Sequence, residues 1–329
     1  MKIGIVGAGE ITRQMHLPVL LNVPEVEVAW LYDRSERQAA SLAAAFGLQA
    51  VAAASAEALP FCDVALLAVP VNARQDYLRV FADRHTAVFC EKPFAISGRE
   101  HLGALGAFPA HQLGVGYMRR FYSSTTLMRS IVAEGWLGPL RGVRIEEGDR
   151  SKGSGVDQSF LNNQHLGAAR GVLMDLGSHT IDLALQICTA EAYTIQSCDI
   201  VFDGAVDRKL SARIELQNSR GEVTIFDYCV SWLDRQRNLL QLNFDHATVW
   251  SGLSPSATVF LGDPAHPERC ISLSTAGGAS TFNQAFYLEW RSFLDGVLQG
   301  KESQVSARSA TLTTTLVEEL LMHGRAGRV

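Results

Sequence analysis

The opening stretch, up to Asp33, constrains the fold more than any other part of the chain. Lys2-Ile-Gly-Ile-Val6 is a short apolar run, Gly7-Ala8-Gly9 follows at once, and a helix-compatible segment leads to Val26 to Tyr32, which ends in Asp33. Strand, glycine turn, helix, strand and acid, in that order, make a βαβ unit suited to a dinucleotide. Gly7 lets the chain turn sharply out of the first strand, and Gly9 keeps a Cβ away from a pyrophosphate lying on the helix N-terminus. Ala8, Glu10 and Ile11 complete the turn expected to face that cofactor. Asp33 is expected to accept hydrogen bonds from a ribose diol, which favours NAD(H), because a carboxylate repels a 2′-phosphate. Arg34 can stack on adenine or reach a phosphate, so use of NADP(H) stays open. Thr12 replaces the third glycine of the fingerprint, where a small residue has only to let helix and sheet pack closely.

A chain of 329 residues is expected to form two domains of roughly 150 residues each. Net charge is −5, which gives a nucleic-acid partner no electrostatic support. The longest apolar stretches, Ala65 to Val71 and Leu316 to Met322, fall far short of the roughly 20 residues of a spanning helix, so no membrane partner is expected. Ile3 already belongs to the first strand with no cleavable apolar region before it, and a cytoplasmic protein is the expectation. Cys62, Cys90, Cys188, Cys198, Cys229 and Cys270 form no C-x-x-C pair and read as reduced thiols. The histidines show no H-x-x-x-H spacing, so no metal site is expected.

Up to residue 117 the chain alternates β-branched runs with alanine-rich helical stretches, the rhythm of a parallel sheet with crossover helices. Strands are expected at Lys2 to Val6, Val26 to Tyr32, Val64 to Ala68, Ala87 to Cys90 and Gln112 to Val115, with helices at Arg37 to Phe46 and Ala73 to Asp83. Ala68, Pro70 and Asn72 fall at the carboxyl end of the third strand, where ligands of doubly wound sheets bind. Beyond residue 140 the texture changes to longer alternating strands, Arg141 to Glu147, Lys209 to Gln217, Glu222 to Ser231 and Leu239 to Trp250, which read as antiparallel. Asn218 to Gly221 reads as a hairpin turn. Helices are expected at Gly171 to Cys188, Thr281 to Gln299 and Ser306 to Met322. The reading is therefore α/β: residues 1–117 form a dinucleotide-binding, doubly wound parallel sheet, and residues 118–329 an α+β domain with a large open, mostly antiparallel sheet. Such a sheet has one face to cover, which makes it a candidate oligomer surface.

Two further motifs bring chemistry. Glu91-Lys92-Pro93 directly follows the strand Ala87 to Cys90, which puts Lys92 at a strand's carboxyl end on the cofactor side. Asp175 and His179, four apart in Gly171-Val-Leu-Met-Asp175-Leu-Gly177-Ser-His179-Thr-Ile-Asp182, project from one helical face, and Asp182 can reach the same side. Gly177 inside that helix costs about 1 kcal/mol relative to alanine, so something is expected to approach its backbone closely. An isolated pair of this kind reads more readily as a helix-capping aspartate with a partly buried, satisfied histidine than as a catalytic pair. A cofactor domain in the same chain favours catalysis.

With these motifs in view, the chain resembles the glucose-fructose oxidoreductase, inositol dehydrogenase and MocA (Gfo/Idh/MocA) family over nearly its whole length. The resemblance is carried by Gly4 to Gly9 with Asp33, Glu91-Lys92-Pro93, Gly116-Tyr117-Met-Arg119-Arg120-Phe121, Val172 to His179 and Phe286 to Phe293. It implies a Rossmann domain followed by a substrate domain with an open sheet used for oligomerisation, and reversible oxidation of a sugar or cyclitol carbinol. It also implies Lys92, Asp175 and His179 as catalytic residues, with His179 the first choice for the proton carrier and Lys92 the alternative. Glu91 and Lys92 join the expected cofactor set. Lys92, Tyr117, Arg119, Asn163, Asp175 and His179 form the expected substrate set, with at least one of Tyr117, Arg119 and Arg120 structural. The loop Ser151 to Arg170, with Phe160, Asn162, Asn163 and Gln164, is expected to shape the pocket.

The expected function is hydride transfer between NAD(P) and a carbinol or ketone carbon of a sugar, nucleotide-linked sugar or cyclitol, in a homodimer or homotetramer. Two alternatives remain at this stage. One is a relative that recycles tightly held NAD to cleave a sugar substituent, and the other is a catalytically silent regulator. Retention of Lys92, Asp175 and His179 together speaks against the regulator.

Overall fold

The computed structural model describes residues 1–148 and 171–326. They group into two compact units, Met1–Tyr117 with Phe282–Thr311, and Met118–Thr281 with the residues from Leu312 onward. Among the described residues, no helix is long and apolar enough to cross a membrane.

In the first unit, β1 (Lys2–Val6), β2 (Glu27–Tyr32), β3 (Val64–Leu67), β4 (Ala87–Cys90) and β5 (Leu113–Val115) form a parallel sheet in the order β2-β1-β3-β4-β5. β3, β4 and β5 are buried along their whole length and β1 from Ile3 onward, as expected of strands covered on both faces. A single parallel bridge from Leu31 to Ala50 lies outside β2. This remnant occupies the place of the third strand in a dinucleotide-binding sheet, and counting it restores the order 3-2-1-4-5-6. The order reverses between β1 and β3, so the ligand crevice of such a sheet opens at their carboxyl ends.

Every residue after 117 is expected in the second domain, yet Phe282–Thr311 groups with the first. The cause is an aromatic stripe on the helix Phe282–Gln299. Trp290 packs its ring 4.5 Å from that of Phe89 on β4, and Phe293 packs 5.2 Å from the same ring. Gly114 on β5 makes room for this helix, since a Cβ there would lie 2.6 Å from the Phe293 ring. The segment beyond the helix then lines β5, with Val115 N–H donating to the Val305 carbonyl and Ala307 N–H to the Leu113 carbonyl, both at 2.8 Å.

In the second unit, β6 (Leu140–Gly148), β7 (Ala190–Asp203), β8 (Val206–Asn218), β9 (Val223–Ser231), β10 (Leu239–Phe244), β11 (Thr248–Gly252), β12 (Thr258–Leu261) and β13 (Ile271–Ser274) form one sheet in the order β13-β12-β11-β10-β6-β9-β8-β7. Only the β6–β9 pair is parallel. Alternation along each strand separates the two faces. Val249, Leu242, Val143, Phe226 and Ile214 stand in register across five strands and are fully buried. The adjacent row, Ser272, Phe260, Trp250, Gln241, Arg144, Asp227, Arg213 and Ser197, crosses all eight strands without one buried residue.

Two expectations change here. Leu239 to Trp250 is not one strand but the hairpin of β10 and β11, closed by Phe244 N–H on the Ala247 carbonyl at 2.9 Å. β7, at one sheet edge, and β12 and β13, toward the other, were not foreseen at all.

Candidate active site

The glycine turn after β1 is locked from three sides. Gly7 has φ +113°, its N–H donates to the Tyr32 carbonyl at 2.8 Å, and a Cβ on it would lie 2.4 Å from the Ala68 carbonyl oxygen at the end of β3. Only glycine meets both demands. The Ala8 N–H donates to Asp33 Oδ2 at 2.9 Å, and the Ser35 N–H to Asp33 Oδ1 at 2.8 Å. Asp33 therefore fixes the turn as well as facing it, while each oxygen keeps a lone pair for a further donor. Thr12 explains its own presence at the third-glycine position, because its hydroxyl donates to the Gly7 carbonyl at 2.7 Å in a buried setting.

Gly9 differs from Gly7. It is exposed, and nothing among the described residues lies within 4 Å of where its Cβ would be. Beside it, Glu10 is exposed and paired with Arg13 at 2.5 Å, Ile11 is partly exposed, and Arg34 is exposed. Ala68 and Pro70 are half-buried and Asn72 is exposed on the short turn Val71–Ala73. A bare backbone at a helix N-terminus, with a half-buried carboxylate one strand away, suits the pyrophosphate and ribose of a nicotinamide dinucleotide.

Lys92 follows β4, two strands from β1, and so stands about 10 Å across the sheet from the glycine turn at one strand spacing per step. It is half-buried, and its bond to Pro93 is cis. The buried Glu91 carboxylate accepts the Lys92 backbone N–H on Oε2 at 3.0 Å and bonds His16 Nε2 through Oε1 at 2.9 Å. Burial alone raises this carboxyl, but the His16 hydrogen bond and the nearby cations Lys92 and Arg74 outweigh it and hold the group below its ordinary value. The guanidinium of Arg74, 2% exposed, donates to the carbonyls of Val69 at 3.0 Å, Glu91 at 2.5 Å and Pro93 at 2.6 Å. Sequence reasoning missed His16, Arg74 and the role of Trp290. The available signal was Glu91 itself, a carboxylate at the end of a buried strand that must find partners inside.

In the second unit, Asp175 and His179 stand on a helix whose first part, Leu173–Gly177, is π-helical and whose continuation, Ser178–Ile187, is α-helical. Single π turns inside helices gather at functional sites. Asp207 caps the start, accepting the Leu173 N–H at 2.8 Å. The expected close approach at Gly177 is present, since a Cβ there would lie 2.9 Å from the Tyr228 hydroxyl and 2.6 Å from Leu173 Cδ1. Asp175 is half-buried and His179 is 9% exposed.

Arg119 grips Glu147 through both oxygens, at 3.0 and 2.8 Å, and its Nε is buried without a partner among the described residues. Burial opposes its charge, but Glu147 and, more weakly, Asp175 hold the guanidinium above its ordinary value. Asp182 does not join Asp175 and His179: it pairs with Arg120 at 2.8 and 2.5 Å and accepts the Thr313 hydroxyl at 3.1 Å, all buried. Arg120 is thus held in a buried ion pair, and Tyr117 lies in the apolar core of the first unit, 1% exposed. Asn163, with Phe160, Asn162 and Gln164, lies outside the described residues. The structure groups the glycine turn, Asp33 and Lys92 in one unit, and Arg119, Asp175 and His179 in the other.

Residues 1–108 match the model of an oxidoreductase family with an NAD-binding Rossmann fold, and residues 125–249 that of the GFO/IDH/MocA C-terminal domain. Glucose-6-phosphate 3-dehydrogenase of Bacillus subtilis (strain 168) is 25% identical over 197 residues, 59% of this chain and 55% of that one. The chain thus spans about half the length of this relative. An oxidoreductase from Agrobacterium radiobacter in complex with NAD+, L-tartaric acid and magnesium superposes with a TM-score of 0.77 at 19% identity, covering 100% of this chain and 97% of that one. A 3-ketoreductase from Actinomadura kijaniata in complex with NADP gives 0.77 at 15% identity, covering 97% and 96%.

Proposed function

The chain belongs to the Gfo/Idh/MocA oxidoreductase family, and from that premise we propose that it transfers hydride between a nicotinamide cofactor and a carbinol or ketone carbon of a sugar, nucleotide-linked sugar or cyclitol. The observation that carries this reading is the first unit's sheet, which presents an unobstructed glycine turn at the end of β1 and a rigidly held lysine at the end of β4. A nicotinamide dinucleotide, when bound, supplies the carbon that accepts or returns hydride. Gly7, Ala8, Gly9 and Asp33 would hold it.

The remaining chemistry is proton management. Oxidising a secondary alcohol needs a base for the hydroxyl proton, and His179 takes that proton, with Lys92 as the alternative carrier. The Lys92 ammonium stabilises negative charge developing on the reacting oxygen. Asp175 orients substrate or its neighbours. NAD(H) is the proposed cofactor, because Asp33 is held by two backbone amides and cannot readily swing away from a 2′-phosphate. We place the reaction in the cytoplasm. Burial pushes the Cys62, Cys90 and Cys188 thiols up to about 12, so they stay protonated and inert there.

The test is NAD reduction, followed at the nicotinamide absorbance, across a panel of sugars, sugar phosphates, cyclitols and nucleotide sugars. Reduction with one class confirms the reading and names the substrate. A protein that binds NAD yet reduces none on the panel, in either direction, overturns it.

A further inference from the structure

We infer that His16 is a positioning residue for Lys92, tying the helix that opens at the glycine turn to the turn that carries the lysine. The inference rests on the role given to Lys92 above. His16 is fully buried, and the indole N–H of Trp290 donates to its Nδ1 at 3.0 Å. An indole nitrogen only donates, so Nδ1 carries no proton and the neutral ring holds its proton on Nε2. That proton points at Glu91 Oε1, 2.9 Å away, while Glu91 Oε2 holds the backbone N–H of Lys92 at 3.0 Å. Trp290, His16, Glu91 and Lys92 thus form one hydrogen-bonded series within the first unit, with the His16 ring N–H and the Lys92 backbone N–H both donating to the Glu91 carboxylate.

The series has an anchor at each end. His16 shares the helix 10–20 with Thr12, whose hydroxyl holds the Gly7 carbonyl. On the lysine's other side, Arg74 grips the carbonyls of Glu91 and Pro93. Gly116 completes the cage, since a Cβ there would lie 3.2 Å from Glu91 Oε1. The backbone of Lys92 is therefore set by the same helix that forms the cofactor seat. An apolar residue at position 16 would leave the Trp290 N–H and one Glu91 oxygen unpaired in the core, and the carboxylate would turn toward another donor. The Lys92 amide moves with it.

A readout on the lysine itself tests this without any substrate. Lysines are reductively methylated with 13C, and the Lys92 resonance is assigned by its loss in Lys92→Arg. His16→Leu and Trp290→Phe are expected to shift or broaden that resonance while those of Lys2 and Lys301 stay, and His16→Gln, which keeps an N–H for Glu91, restores it. On an accepted substrate, His16→Leu is expected to lose about 10- to 100-fold in kcat, the scale of a misplaced catalytic group. In a Lys92→Ala background the same change should cost less than about threefold, because it acts through the lysine. An unmoved Lys92 resonance in folded His16→Leu, or in Trp290→Phe if the first does not fold, overturns the inference, as does an equal loss of kcat in both backgrounds. If Lys92→Ala itself turns over normally, the functional reading fails instead, and the methyl resonance still reports on the link.

Discussion

Gly7 and Gly9 stand two residues apart and respond to an added methyl in opposite ways. Gly7→Ala places a Cβ against the Ala68 carbonyl at φ +113°, and a loss of about 1–3 kcal/mol in denaturant unfolding is expected. Gly9→Ala meets no protein atom among the described residues. Its Tm should stay at the native value while NAD titration weakens by about tenfold or more, the effect of a methyl between backbone and pyrophosphate; equal Tm losses in both variants would argue against a cofactor at this turn. His179→Ala is expected to lose about 10²- to 10⁴-fold in kcat at near-native stability. Lowered stability with normal turnover in the folded fraction would return His179 to a core role. The glycines and Asp33 were legible because the turn's demands are met within one short stretch. His16 and Arg74 were not, because their partner Glu91 lies 75 and 17 residues away and nothing local separates them from surface residues.

Both helices that carry the proposed chemistry contain a π turn, Thr12–His16 in one and Leu173–Gly177 in the other. In the second, Gly177→Ala would press a methyl against Leu173 and the Tyr228 hydroxyl, and about 1–3 kcal/mol of destabilisation is expected in denaturant unfolding. A variant of native stability would mean the helix shifts freely on the sheet. The helix Gly98–Ala107 offers a pH test, because His101 donates to the Ala307 carbonyl at 2.8 Å and burial lowers its pKa to about 4 from 6.5. Between these values the unfolded chain binds a proton that the folded chain refuses, so stability rises with pH through that window and is fully present above it. Replacing His101 with Phe should flatten the Tm profile between about pH 4 and 6.5. An unchanged slope would locate the dependence elsewhere. At this scale the sequence misled where alternation slips: β7 breaks register at three places along its pairing with β8, so the period-2 signal never accumulates. The hairpin of β10 and β11 kept alternation on both sides of a short polar turn, and so read as one strand.

For the molecule as a whole, we predict a homodimer or homotetramer assembled through the unburied face of the eight-stranded sheet. On that face Arg213 pairs with Asp227 at 2.6 Å, Trp250 stacks on Phe260 at 4.4 Å, and a concavity of about 410 Å³ opens among Arg144, Ser211, Arg213 and Asp227. The Trp250 indole N–H is buried there without a partner among the described residues. Light scattering should give a multiple of the chain mass, and Arg144→Glu should lower it; a monomer over a wide concentration range would refute the assignment. The order of a parallel sheet followed by an open antiparallel one was readable from the change in strand texture near residue 140. The return of Phe282–Thr311 to the first unit was not, because an aromatic helix stripe announces burial without naming what it packs on. That return sets a delay in biosynthesis. The first unit's chain is interrupted at Tyr117 and resumes only at Phe282, so its sheet must wait on the ribosome with Phe89 and Gly114 uncovered. From Tyr117 to Thr311 is about 190 residues, roughly 10–40 s of translation, during which this apolar face is open to aggregation.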